Sequence, residues 1–139
     1  MEQNSNINKR FITWAYLDVA MEDIASQVKS SDFEIKHIYG MPRGGLIPAV
    51  ILSHKLDVPL FKPGMVINNT VLVVDDICDT GNTMYNYWKY GIPFTTIHTK
   101  LSASCQPNFY YDVVDKDWIV YPWERADSKT IADYATKRE

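Results

Sequence analysis

The sequence predicts an α/β fold, an open, mostly parallel sheet flanked by helices. Three observations carry that prediction. Residues 71–74, Val-Leu-Val-Val, form a continuous apolar run rich in β-branched side chains, the pattern of a strand buried on both faces. Segments with helical spacing alternate with such strands along the chain. Two of the strands run into short glycine-bearing turns, at residues 40–45 and 79–83, each followed by a helix-compatible stretch.

Taken in order, residues 1–10 read as a polar tail, and Phe11 and Ile12 as the start of a short extended piece. Over residues 15–29 the apolar positions Leu17, Ala20, Met21, Ile24, Ala25 and Val28 recur at helical spacing and predict one buried face. Ser30, Ser31 and Asp32 end that helix. Residues 35–39 read as a core strand. The turn Gly40-Met41-Pro42-Arg43-Gly44-Gly45 follows, then an apolar helix over 46–56, where Pro48 is tolerable only in the first turn. Residues 58–61 are a short strand candidate, with turns at 62–64 and 68–69. After the strand at 71–75 comes a helix over 82–90, ended by Gly91 and Pro93. Residues 94–100 alternate loosely and are rich in Thr and Ile, hence a strand. Residues 102–108 are loop, 109–114 a last β-prone segment, and 128–137 a short terminal helix with Ser128 as its cap. The strands at 35–39 and 71–75 belong near the sheet centre, with their carboxyl-end turns side by side and a ligand crevice between them.

Composition sets the class. The 139 residues make one domain with one sizeable core, at 46% hydrophobic and 13% aromatic residues. A net charge of -3 argues against a nucleic-acid binder working through a basic surface. Two cysteines, Cys78 and Cys105, make neither a disulfide framework nor a cysteine-based zinc site. The polar start lacks a signal-peptide apolar region, and the longest apolar run, residues 46–52, contains Pro48 and is far too short to span a bilayer. These features predict a soluble cytoplasmic protein with no internal repeats and no interdomain linker.

The chemistry concentrates in residues 71–84, VLVVDDICDTGNTM. The apolar strand leads to Asp75 and Asp76, then to Asp79, Thr80, Gly81, Asn82 and Thr83 where a helix begins. Such a turn offers backbone N–H groups and hydroxyls to an anion, and Gly81 lets the main chain approach it closely. Carboxylates repel a bare phosphate, so a metal ion or sugar hydroxyls belong between them. Taken alone, a D-x-x-T-G run is an acidic, well-capped helix start.

The whole run resembles the phosphoribosyl-pyrophosphate signature of the type I phosphoribosyltransferases: four apolar residues, two acids, two variable residues, then D-T-G-x-T. The upstream turn resembles that family's pyrophosphate loop, a short residue followed by Arg-Gly-Gly. By itself, Arg43-Gly44-Gly45 reads as a tight strand–helix connection with an exposed arginine. The segment Trp118-Ile119-Val120-Tyr121-Pro122-Trp123-Glu124 resembles the W-I-x-x-P-W-[DE] segment of the xanthine–guanine branch. The resemblance spans residues 12–124.

The resemblance implies a purine phosphoribosyltransferase with a small C-terminal hood over residues 115–139. It would transfer the phosphoribosyl group to a 6-oxopurine (guanine, xanthine or hypoxanthine) and release pyrophosphate. Carried over, Arg43, Gly44 and Gly45 meet the pyrophosphate. Asp75 and Asp76 meet the ribose hydroxyls and a Mg²⁺ ion, with Asp76 as the metal residue. Ile77 and Cys78 also line the phosphoribosyl-pyrophosphate site, Asp79, Thr80, Gly81, Asn82 and Thr83 carry the 5′-phosphate, and Asp79 accepts from the base's imidazole nitrogen. Lys100 donates to the purine's exocyclic oxygen, Trp118 stacks on the base, and Ile119 contacts it partly through its backbone. A homo-oligomer, dimer or tetramer, is also implied. Other readings stay open: Lys100 as a solvated strand end, and the tryptophans as packing residues, the reading preferred for Trp123. One departure stands out. The family's long flexible excursion over the substrates is missing, because only residues 57–70 lie between the helix and the central strand. That gap favours a second reading, a non-catalytic module that binds a nucleotide or phosphoribosyl pyrophosphate.

Overall fold

The computed structural model describes residues 8–125 and 127 of the chain. The elements are β1 (Lys9–Phe11), α1 (Trp14–Lys29), β2 (His37–Gly40), α2 (Leu46–Leu56), β3 (Val71–Cys78), α3 (Asn82–Trp88), β4 (Phe94–Thr99), β5 (Asp112–Val113) and β6 (Trp118–Val120). Four strands form one parallel sheet in the order β2-β3-β4-β5, and β1 pairs with β6 in a second, two-stranded parallel ribbon.

Thr13 caps α1, its hydroxyl accepting from the Tyr16 N–H at 3.0 Å. The helix then buries Leu17, Ala20, Met21, Ile24, Ala25 and Val28, the face its periodicity predicts. Each of the large members contributes about 1.5–3 kcal/mol by leaving water. This face packs with Ala49 and Leu52 of α2 onto Leu72, Val74 and Ile97 of the sheet. On the other side, Met84 of α3 closes over Val73 and Phe94. Helices therefore cover both faces of the sheet, which is why β3 and β4 read as near-continuous buried runs. Pro48 sits in the first turn of α2, where it removes no helical hydrogen bond.

Several expectations need correction. Lys9 and Arg10 belong to β1 and not to a loose tail, because their main chain pairs with Trp118 and Ile119. Residues 118–120 are the partner strand, which the sequence reading left out. β2 is not central: beyond it lies only a bridge from Ile38 to Leu60, and residues 58–61 supply no more strand than that. The Ile38 N–H donates to the Pro59 carbonyl at 3.0 Å, and the Phe61 N–H donates to the Ile38 carbonyl at 2.7 Å. α3 stops at Trp88, and the last strand of the main sheet contracts to Asp112–Val113. β3 is longer than expected and carries Asp75 and Asp76 within it. The helix expected over 128–137 lies outside the described residues.

Candidate active site

The carboxyl ends of β2, β3 and β4 converge, and the turns that follow them carry most of the residues singled out above. The turn after β2 lies against β3: the Met41 N–H donates to the Val74 carbonyl at 2.8 Å, and the Gly45 N–H to the Met41 carbonyl at 2.8 Å. The Pro42–Arg43 peptide is cis. A Cβ on Gly44 would collide with the Asp76 carboxylate, and one on Gly45 with the Val74 carbonyl oxygen. Both glycines are therefore required by close approach, and the Arg-Gly-Gly turn and the acid pair form one unit.

Within β3, Asp76 N–H donates to Asp75 Oδ1 at 2.8 Å and Ile77 N–H donates to Asp76 Oδ1 at 2.7 Å. Each carboxylate thus holds the main-chain N–H of the residue that follows it. Val74 and Ile77 both pack toward the same core, although a regular strand would place them on opposite faces. Burial pushes the Asp76 carboxyl above the usual range, with Asp75 and the Ile77 N–H offsetting part of the rise. Cys78 is buried, its thiol donating to the Cys105 carbonyl at 3.4 Å, and burial raises its pKa, so it is a packing thiol.

The next turn is braced from outside. Gly81 has φ 89°, and a Cβ there would meet the Cys105 nitrogen at 2.8 Å and Ser104 Oγ at 2.9 Å. Ser104 N–H and Oγ–H both donate to the Thr80 carbonyl, at 2.7 and 3.0 Å. The Thr80 hydroxyl accepts from Asn82 N–H at 3.2 Å, while Asp79, Thr80 and Asn82 stay exposed. Lys100, just past β4, reaches Asp79 Oδ1 with its Nζ at 2.9 Å.

The C-terminal segment closes one side. The half-buried Trp118 donates its N–H to the Asn8 carbonyl at 2.9 Å, while Ile119 turns its side chain into the core. Trp123 stacks on Tyr121 with ring centroids 5.0 Å apart and lies 6.2 Å from Trp14, so it packs between the C-terminal segment and the start of α1. The structure thus brings residues 43–45 to the acid pair and Lys100 to Asp79. It keeps residues 57–70 on the sheet edge, where the Tyr39 and Phe61 rings meet at 5.3 Å.

The sequence reading missed two groups. Glu124 accepts from the Tyr121 N–H at 2.9 Å, and its carboxyl is raised by burial and the Asp76 charge while Arg43 pulls it down. Tyr121 and His98 are buried beneath the acid pair, where the Tyr121 hydroxyl donates to the Asp76 carbonyl at 3.1 Å. A histidine inside a strand of Thr and Ile was the available signal. Among the described residues, no group of three or more His, Cys, Asp or Glu side chains gathers to hold a metal, and no helix is long and apolar enough to cross a membrane.

No family model matches the chain. A protein of Idiomarina loihiensis named xanthine-guanine phosphoribosyltransferase is 28% identical over 82% of this chain and 86% of its own length. The solved structure of the Helicobacter pylori xanthine-guanine-hypoxanthine phosphoribosyltransferase shares the fold at a TM-score of 0.72 and 19% identity, covering 84% of this chain and 94% of that one. The structure of a purine phosphoribosyltransferase from Pyrococcus horikoshii superposes with a TM-score of 0.72 and 30% identity, over 88% of this chain and 99% of that one. With that likeness spanning nearly the whole of a solved relative, and with the signature turns converging at the strand ends, the chain belongs to the purine phosphoribosyltransferases of type I fold.

Proposed function

We propose that the protein transfers the 5-phosphoribosyl group from phosphoribosyl pyrophosphate to a 6-oxopurine. The observation that carries this is the convergence of the Arg-Gly-Gly turn, the acid pair and the Asp79–Lys100 pair at three adjacent strand ends. In this reading the 5′-phosphate lies on the N–H groups and hydroxyls of residues 79–83, and Asp75 and Asp76 hold the ribose hydroxyls. The bond from the sugar carbon to pyrophosphate breaks as the bond to the purine nitrogen forms. Arg43 and the Gly44 and Gly45 amides stabilise the charge that builds on the leaving pyrophosphate. Asp79 takes or holds the proton of the imidazole nitrogen. Lys100 meets the exocyclic oxygen, and Trp118 supplies a stacking face worth about 1–3 kcal/mol for a nucleobase. With its side chain in the core, Ile119 reaches the base through its main chain.

Two consecutive carboxylates in the carboxyl-terminal half of β3 suit Mg²⁺, which binds through one or two carboxylates plus ligand oxygens. Asp76, beside Asp75 and the pyrophosphate turn, is the residue we assign to it. The ion would supply charge neutralisation at the pyrophosphate. We place the protein in the cytoplasm, as a homo-oligomer, dimer or tetramer. The binding-module reading is not favoured, because the relatives carry transferase names and the base-contacting positions are retained beside the phosphate turn.

The test incubates purified protein with Mg²⁺, phosphoribosyl pyrophosphate and each purine base, with nucleotide read by chromatography. Formation of a 6-oxopurine nucleotide with pyrophosphate is expected. Normal ligand binding with no nucleotide from any purine would overturn the transferase reading.

A further inference from the structure

A continuous buried hydrogen-bond chain runs beneath the site and joins elements far apart in sequence. The Tyr16 hydroxyl lies 2.9 Å from His98 Nε2, His98 Nδ1 lies 2.9 Å from the Tyr121 hydroxyl, and that hydroxyl donates to the Asp76 carbonyl at 3.1 Å. His98 is 0% and Tyr121 2% exposed. The direction of the chain follows from its end. Since Tyr121 gives its proton to Asp76, its oxygen accepts from Nδ1–H. Nε2 is then bare and accepts from Tyr16. A neutral imidazole protonated at Nδ1 satisfies every partner. Burial, with Arg10 adding to it, lowers the His98 pKa to about 4 and keeps the ring neutral.

The position of this chain is what matters. Tyr121 lies three residues after Trp118, and its N–H is held by Glu124. Asp76 carries one carboxylate of the acid pair and presses on Gly44. His98 lies two residues before Lys100 on the strand beside β3. Tyr16 stacks on the imidazole and Tyr121 lies tilted against it, with ring centroids each 5.7 Å from it. A hydrophobic side chain of similar size satisfies packing alone, so a histidine between two hydroxyls indicates that orientation is being set.

We propose that His98 and Tyr121 are positioning residues that lock the purine-facing C-terminal segment to the main chain of the acid pair, fixing base and sugar sites relative to each other. The inference rests on the transferase reading above. The 5′-phosphate turn is held separately, by Ser104 and Cys105, so losing the lock leaves anchoring of the sugar phosphate intact. What suffers is the alignment of the base with the reacting carbon, a loss that falls on kcat.

The test compares Tyr121→Phe, His98→Leu and His98→Asn, in which the asparagine keeps an N–H donor near the Nδ1 position. Tyr121→Phe and His98→Leu each remove two hydrogen bonds of the chain and should each lower kcat at least about tenfold, with KM for phosphoribosyl pyrophosphate within about twofold of the parent. His98→Asn should recover most of the kcat. Exchange of the Asp76 and Ile77 amides should quicken about tenfold in the first two variants and return toward parent in the third. Parent-like kcat and exchange in folded Tyr121→Phe would overturn the proposal, as would kcat and KM worsening together with no recovery in His98→Asn. Nitrogen NMR of the unaltered protein gives a check that needs no variant: protonation at Nε2 in place of Nδ1 contradicts the chain. A parent that makes no nucleotide sinks the transferase reading alone, since tautomer and amide exchange still decide the lock.

Discussion

Lys100 and Asp79 close an ion pair of 2.9 Å between the end of β4 and the turn after β3. Their side chains are 28% and 63% exposed, so solvent screens the pair and its worth is about 0–1 kcal/mol. A weak pair of this kind keeps both groups in place yet yields to a ligand that offers each a better partner. Lys100→Met should weaken purine-nucleotide binding at least about tenfold while binding of phosphoribosyl pyrophosphate alone stays within about twofold, since one charged hydrogen bond is lost. Asp79→Asn should lower kcat about 100-fold, the lower end for a positioned base. Calorimetry with each ligand and steady-state kinetics check both. An equal loss of the two ligands in Lys100→Met would make Lys100 a structural partner of the phosphate turn.

Gly44→Ala tests the contact between the pyrophosphate turn and the acid pair. The added methyl meets the Asp76 carboxylate, which is itself held by the Ile77 N–H. We expect destabilisation of about 1–3 kcal/mol in denaturant unfolding, the usual size for forcing a methyl into a packed site. Activity should fall well beyond what the loss of folded protein explains.

Gly81→Val tests the phosphate turn. Gly81 combines φ 89° with the close approach of Ser104 and Cys105, so valine is both strained and crowded. Affinity for phosphoribosyl pyrophosphate and for the nucleotide should fall together, because both carry the 5′-phosphate. Unchanged affinity for both in a folded variant would remove the phosphate from this turn.

The sheet-edge course of residues 57–70 predicts a leaky reaction. Ligands should bind normally, because none of the proposed contacts lies on that segment. Without a cover, water competes for the reacting carbon. Following nucleotide and free ribose 5-phosphate together, with and without purine, should show slow transfer with measurable hydrolysis. Fast, tightly coupled transfer with no release of free ribose 5-phosphate would show that no cover is needed.

His98 gives a pH signature. Its folded pKa of about 4 lies below the ordinary 6.5, so between those values the unfolded chain binds a proton that the folded chain refuses. The stability His98 contributes is therefore full above about pH 6.5 and is lost as pH falls toward 4, by about 3 kcal/mol. Asp76 and Glu124, raised in the folded state, act with the opposite sign, so the informative quantity is the difference between parent and His98→Asn. Denaturant unfolding at pH 7.5 and pH 5 should show the parent losing more stability than the variant.

The sequence displayed whatever repeats locally. Leu17 through Val28 declare their buried face because helical periodicity is written into neighbouring positions, and the run at 71–74 declares a buried strand in the same way. The signature turns were legible because each is contiguous. β6 was not, since three residues whose partner is Lys9–Phe11 leave no periodic trace. Nor was the Tyr16–His98–Tyr121 chain, whose members come from a helix, a strand and the C-terminal segment and meet only in three dimensions. The extension of β3 past Asp75, from Asp76 to Cys78, was hidden for another reason. Asp75 and Asp76 each bond the N–H of the next residue, and aspartate is ordinarily depleted in strands.

The β1–β6 ribbon joins Lys9 to Trp118, so its two halves are made far apart in synthesis. The first strand waits unpaired until residues 118–120 have been translated, and this is the longest-range strand pairing in the described fold. Every segment of the phosphate and acid-pair floor precedes residue 118 in translation order. A nascent chain halted at that point carries the Arg-Gly-Gly turn, the acid pair and the Asp79–Lys100 pair, and lacks the strand that holds Trp118 and Ile119. In this fold, the order of translation sets the C-terminal segment apart from the strand-end turns it packs against.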